Sequence, residues 1–78
     1  MTAPYHLKFA PKAKRKIEEL SSKHQKMFIR LAEALSVNPR PPGARKIEGM
    51  IGLYCETVPP YRLIYKIDEQ EVLLLNIK

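Results

Sequence analysis

The sequence predicts an α+β domain, an antiparallel sheet with two N-terminal helices packed on one face, in the order β-α-α-β-β-β. Three observations carry that expectation. Apolar residues alternate in "PYHLKFA" and then recur at helical spacing from Pro11 to Val37. A proline-rich break follows at "NPRPPG". Beyond it, three apolar runs are separated by turn-forming residues. Helices that precede a strand meander pack together on one side of the sheet. With 78 residues the chain is a single domain, 1–78, small enough that its stability margin is a few kcal/mol.

Each element has its own local reason. Tyr5, Leu7 and Phe9 alternate with His6 and Lys8, the pattern of a half-buried strand. Pro11 suits a first helical turn, where its missing N–H costs nothing. Ala13, Ile17 and Leu20 fall at i, i+4 and i+7 and form one apolar stripe on a lysine-rich helix. Ser21 or Ser22 is available to cap a second helix, whose main stripe is Phe28, Leu31 and Leu35 with Met27 and Ala34 beside it. The connector from Asn38 to Gly43 holds three prolines and can be neither helix nor central strand. Strands follow from about Leu53 to Val58, from Tyr61 to Ile67 after a Pro59-Pro60 turn, and in "VLLLNI" after "DEQE".

Alternation is sharpest in "YRLIYKI". Tyr61, Leu63, Tyr65 and Ile67 share one face, and Arg62, Ile64 and Lys66 share the other. With helices on one side only, Arg62 and Lys66 project from the uncovered face or its margin. The expected core is Leu7, Phe9, Ile17, Leu20, Phe28, Leu31, Leu35, Leu63 and Tyr65.

Composition narrows the chemistry. Fourteen Lys and Arg against eight Asp and Glu give a net charge of +6, which favours a polyanionic partner. Cys55 is the only cysteine, with no Cys/His cluster to hold zinc; it reads as a small hydrophobe in a reducing compartment. No apolar run matches a signal peptide or approaches the roughly 20 residues of a membrane span. The expectation is a cytoplasmic protein with no membrane partner. Gly43, Gly49 and Gly52 form no phosphate-cradling loop, and neither a metal nor a cofactor is expected. His6 and His24 read as solvated. Glu18 and Glu19 are adjacent on a helix and do not face each other, and Asp68, Glu69 and Glu71 belong to a hairpin turn. No carboxylate pair has the spacing of a dyad or a metal site, and neither a metalloenzyme nor a Ser/His hydrolase is expected.

Cations remain, in three clusters. "KAKRK" forms a solvated helix face able to meet RNA or an acidic partner. "RPPGARK" carries Arg40, Arg45 and Lys46 on a stiff loop suited to backbone contacts. Arg62 and Lys66 sit on the sheet, and a planar guanidinium is well suited to grip a phosphate. Tyr54, Tyr61 and Tyr65 are core by spacing, though a tyrosine reaching the open face would stack on a base. The residues alone reach a basic α+β domain whose cationic face is open to two readings, an RNA-binding face or a basic surface that serves solubility only.

The segment order, the connector "NPRPPGARKIEG" and above all "LYCETVPPYRLIYKID" with "EVLLLNI" resemble the RelE/ParE superfamily of bacterial and archaeal toxins, from Tyr5 to Ile77. In that family a loop rich in Pro and Lys leads into a strand beginning with Tyr, then a turn, then a "YR..Y" strand; here these are the connector, Leu53-Tyr54 and Tyr61 to Tyr65. The resemblance implies the toxin of a type II toxin–antitoxin module with a RelE-like fold. In the RelE branch it implies a ribosome-dependent endoribonuclease that cleaves translated mRNA by 2′-hydroxyl attack on the adjacent phosphate. Arg62 would be catalytic, stabilising charge on that phosphate; Arg40, Arg45, Lys46 and Lys66 would be RNA-binding. The implied partners are a cognate antitoxin with an acidic, helical segment, the ribosome and mRNA. The alternatives are a ParE-like gyrase inhibitor and a catalytically weak RNA- or antitoxin-binding module. They rest on departures from the family pattern. Cys55 and Thr57, with Glu56 between them, stand where active members carry basic residues, and Pro59-Pro60 replaces a Gly-Asp or Gly-Asn turn. The sequence reaches only Lys78, where the family continues into a tail bearing a Tyr or His. A structural alternative for Arg62 is a cross-strand ion pair with Glu56.

Overall fold

The computed structural model describes residues 4–78; residues 1–3 lie outside it. The order is β1 (His6–Phe9), α1 (Pro11–Glu19), α2 (Ser22–Val37), β2 (Arg45–Lys46), β3 (Leu53–Val58), β4 (Tyr61–Ile67) and β5 (Glu71–Ile77). The strands form one five-stranded sheet in the spatial order β1-β5-β4-β3-β2. Helix α1 packs on β5, and α2 packs on β1, β5 and α1. The α+β architecture with both helices on one face is as the sequence predicts.

Two details depart from the expectation. The sheet is mixed, because β1 pairs parallel to β5 (His6 with Glu71 through Phe9 with Leu74), while β2, β3, β4 and β5 are antiparallel. The connector also ends in a two-residue strand, β2, which adds to β3 at the sheet edge.

Local chemistry accounts for the helices. Pro11 opens α1 after extended Ala10, and the chain leaves the helix at extended Leu20. Ser21 is the N-cap of α2, its hydroxyl accepting from the His24 N–H at 3.4 Å. The buried stripe of α2 is Phe28, Ala32 and Leu35. Leu31 is only partly buried, and Met27 and Ala34 are exposed, so the helix is rotated from the expected stripe. The buried set is i, i+4 and i+7, with the small side chain of Ala32 between two large anchors.

Strand β4 lies at the centre of the sheet, and its alternation holds. Leu63, Tyr65 and Ile67 are buried with Val72, Leu74 and Ile77 of β5, and Tyr61 is partly buried against Phe28. Val58 and Tyr61 flank the two-residue Pro59-Pro60 turn. Gly52 closes the β2–β3 turn at φ +78, where a Cβ would stand 3.1 Å from the Ile67 carbonyl oxygen; only glycine meets both demands. Leu7, Phe9, Leu20 and Leu31 border the core rather than fill it.

The rotated stripe gives a measurable contrast. Leu35→Ala, at a fully buried site, is expected to cost about 2–5 kcal/mol in urea unfolding. Leu31→Ala is expected to cost clearly less, and equal losses at the two sites would contradict the helix orientation.

Candidate functional site

The uncovered face of the sheet is a set of cross-strand rows. On β4, Arg62, Ile64 and Lys66 point away from the helices; Arg62 and Lys66 are exposed and Ile64 is half-buried. On β3, Thr57 lies opposite Arg62, Cys55 opposite Ile64 and Leu53 opposite Lys66. Arg45 extends the Cys55 row from β2. Across β5, Asn76 lies beside Ile64 and Leu73 beside Lys66, with Lys8 of β1 beyond Leu73. Half-buried Leu53, Cys55, Ile64 and Leu73 thus form a mostly apolar floor bordered by Arg45, Arg62, Lys66 and Lys8.

Among the described residues, the carboxylate that shares these rows is Glu71, which sits at the far edge and pairs with Lys8 at 3.3 Å. An exposed pair of this kind contributes little to stability, yet it occupies that acid. No other ion pair forms among the described residues, so Arg45, Arg62 and Lys66 present uncompensated charge. Separation limits what they do together. Arg62 and Lys66 are four residues apart, roughly 13 Å along the strand. Standing upright, they are too far apart to meet at one small group.

The covered side holds the rest of the predicted set. Tyr54 stacks on Tyr65 with ring centroids 6.0 Å apart. Arg40 lies over Tyr54 at 5.4 Å, and its Nε donates to the Tyr54 hydroxyl at 3.0 Å. That hydrogen bond holds the Arg40 pKa above its ordinary value. Lys46 pairs in register with Tyr54 and belongs to the same side. Arg45, Arg62 and Lys66 are therefore brought onto one face, while Arg40 and Lys46 are not. Loop residues carry no alternation from which a face is read, and Arg40 fastens the connector to the sheet. Lys12, Lys14 and Lys16 are exposed on α1, so the basic residues divide between two sides of the molecule.

Glu56 settles the alternative for Arg62. It pairs with Leu63, not Arg62, and faces the connector, where its Oε1 stands 2.8 Å from the position of a Cβ on Gly43. Arg62 is not held by a cross-strand carboxylate. Glu56 Oε2 is buried without a hydrogen-bond partner, and burial pushes the carboxyl pKa up. Tyr65 is pushed up to about 12, by burial first and then by the nearby Glu56 charge. It stays a neutral donor, giving its proton to the Pro39 carbonyl oxygen at 2.9 Å. The sequence reading passed over one residue of the open face. Lys78 exchanges both backbone hydrogen bonds with Arg62, at 2.8 and 2.9 Å, and so stands directly beside it.

A family model described as "ParE toxin of type II toxin-antitoxin system, parDE" matches residues 7–78. A chain of the archaeal RelE–RelB complex from Pyrococcus horikoshii OT3 is similar at 23% identity and TM-score 0.87, over 96% of this chain and 93% of that one. A chain of the intact E. coli RelBE toxin–antitoxin complex matches at 26% identity and TM-score 0.80, over 94% and 93%. The YoeB dimer from Staphylococcus aureus shares the fold at 20% identity and TM-score 0.80, over 97% of each chain. No curated protein sequence matches significantly.

The raised pKa of Glu56 has a definite sign. The unfolded chain ionises this carboxyl more readily than the folded one, so its contribution to stability is complete below the ordinary value of 4.5 and is lost as pH rises through the higher folded value. Glu56→Gln is expected to raise the melting temperature at pH 7 and to change it little at pH 4. A wild-type protein more stable than Glu56→Gln at pH 7 would show that the carboxylate has a partner.

Proposed function

The chain belongs to the ParE toxin family of type II toxin–antitoxin systems, within the RelE/ParE superfamily, and from that premise we propose that it is a ribosome-dependent endoribonuclease acting on translated mRNA. The observation that carries this reading is Arg62, an exposed guanidinium on an open sheet face with no ion-pair partner among the described residues. In the proposed reaction a ribose 2′-oxygen attacks the adjacent phosphorus and the P–O5′ bond breaks. The 2′-hydroxyl proton ends on the departing 5′-oxygen by way of water, leaving a 2′,3′-cyclic phosphate and a 5′-hydroxyl. Charge builds on the non-bridging oxygens as the bond forms, and Arg62 neutralises it through two parallel N–H donors. Lys66 and Arg45 hold flanking phosphates, which fixes the register of the strand without reading its bases. Arg40 and Lys46 are not part of this contact set; they act from the covered side.

A second reading is favoured by the description of the family model, which names ParE toxins. Under it, the protein is a non-nucleolytic inhibitor of gyrase. Primer extension on a reporter mRNA after induced expression separates the two. Cleavage within the reading frame supports the nuclease, and gyrase-linked DNA breaks with intact mRNA support the inhibitor. Arg62→Ala is expected to slow cleavage by about 10²–10³ while leaving the fold intact. Arg62→Lys keeps the charge without the planar fork and should recover only part of the rate. Full activity in folded Arg62→Ala would remove the role assigned to this residue.

The proposed partner is an antitoxin with an acidic, helical segment, since similar proteins are found in toxin–antitoxin complexes and this chain carries +6. Association is expected to be fast and to slow with added salt, because exposed charges are screened beyond about 8–10 Å at physiological ionic strength. Stopped-flow mixing at two salt concentrations measures this, and a salt-independent rate would exclude steering by charge.

A further inference from the structure

Arg62 has two neighbours on its row, and the backbone fixes how close each one stands. Its N–H and C=O both bond to Lys78, at 2.8 and 2.9 Å. A residue in an antiparallel sheet directs both groups to the same side, so its pairing with Thr57 on β3 is the non-hydrogen-bonded kind, with Cα atoms about 4.5 Å apart. The Arg62–Lys78 pairing is the hydrogen-bonded kind, at about 5.5 Å. All three residues are exposed. A hydroxyl, a guanidinium and an ammonium therefore stand side by side across three strands, on one face.

Two cations directly opposite each other on a ladder repel and destabilise the sheet. Among the described residues, no side-chain carboxylate relieves this pair. Glu56 faces the other way, and Glu71 is at the far end of the face, engaged with Lys8. The placement of Lys78 is itself the product of an irregularity. The β4–β5 register shifts between Ile64 and Tyr65, so that Tyr65 pairs with Leu74 but Ile64 pairs with Asn76, leaving Leu75 as the extra residue. With strict alternation from Val72 and Leu74, position 78 would fall on the helix side. The bulge moves it beside Arg62.

We propose that Thr57, Arg62 and Lys78 form one clamp for a single phosphate group of RNA, with Lys78 supplying the second positive charge at the phosphate that Arg62 holds. This deepens the nuclease reading and rests on it for the identity of the phosphate as the reacting one; the clamp as an anion site rests on the geometry alone. Arg62 and Lys78 take the non-bridging oxygens from adjacent strands, and the Thr57 hydroxyl donates to the same group from the close side. Lys66, roughly 13 Å away, is outside the clamp, which separates it in role from Lys78 despite equal charge.

Two measurements test this independently. Titration of the folded chain with inorganic phosphate, followed by backbone amide shifts, is expected to give saturable changes centred on Thr57, Arg62 and Lys78. Lys78→Ala should weaken that affinity several-fold, Lys78→Arg should preserve it, and Lys23→Ala, at an exposed lysine on α2, should leave it unchanged. Equal weakening by Lys78→Ala and Lys23→Ala, or none by Lys78→Ala, would overturn the clamp. In single-turnover cleavage of ribosome-bound mRNA, Lys78→Ala should lower the rate about 10²-fold, Lys78→Arg should restore most of it, and Thr57→Val should cost about 2–10-fold. If the wild type cleaves and Lys78→Ala cleaves equally fast, Lys78 is not at the reacting phosphate and the proposal fails. If the wild type does not cleave, the nuclease reading falls, and the phosphate titration alone decides the clamp.

Discussion

Tyr65 is fully buried at the centre of the sheet, and its hydroxyl donates to one acceptor, the Pro39 carbonyl oxygen 2.9 Å away. A buried phenol without a partner is costly, so this bond ties the start of the connector to the middle strand. Tyr54 stacks on Tyr65 and accepts from Arg40, which adds a second tie one residue further along. The connector then covers the part of β3 and β4 that the helices leave bare, and it runs on into Arg45 at the sheet edge. One consequence is Glu56, whose carboxylate is trapped beneath Gly43 on the covered side. Another is that every covering element lies on a single face. Among the described residues, no element covers the opposite face.

What the sequence revealed depended on how local the cause was. Helix starts at Pro11 and Ser21, the Pro59-Pro60 turn and the two faces of β4 are each decided by residues within a few positions, and all are found as expected. The parallel pairing of β1 with β5 joins residues more than sixty positions apart, and no local pattern encodes it. The stripe of α2 was ambiguous by one residue, since Leu31 and Ala32 both fit a helical period with Phe28 and Leu35; contact with the sheet chose the smaller. The candidate site divided along the same line. Arg62 and Lys66 were legible from alternation, while the faces of Arg40, Arg45 and Lys46 depended on tertiary ties that the loop sequence does not show.

Strand β5 is the clearest case of a pattern hidden by composition. "VLLLNI" is apolar at nearly every position, so period-2 counting gives no face. The bulge makes counting misleading as well, because the buried residues are Val72, Leu74 and Ile77, spaced by two and then three. Asn76 would be assigned to the core by strict alternation, yet it pairs with Ile64 on the open face. Lys78 was missed for this reason. Its signal exists only in the register.

The open face combines two features that ordinarily disfavour exposure, a half-buried apolar floor and a row of cations without acids. A domain of 78 residues has little stability to spare for either. The two costs are relieved by different groups. Phosphates answer the charges at Arg62, Lys78 and Lys66, but a ribose-phosphate backbone leaves Leu53, Ile64 and Leu73 largely uncovered. A protein segment with both carboxylates and apolar side chains answers both at once, burying the floor at about 25 cal/mol per Å² while neutralising its border. The asymmetry favours the proposed antitoxin over nucleic acid for the same surface. It does so without any change in the fold, because the floor and the cations stand on the same face of one sheet.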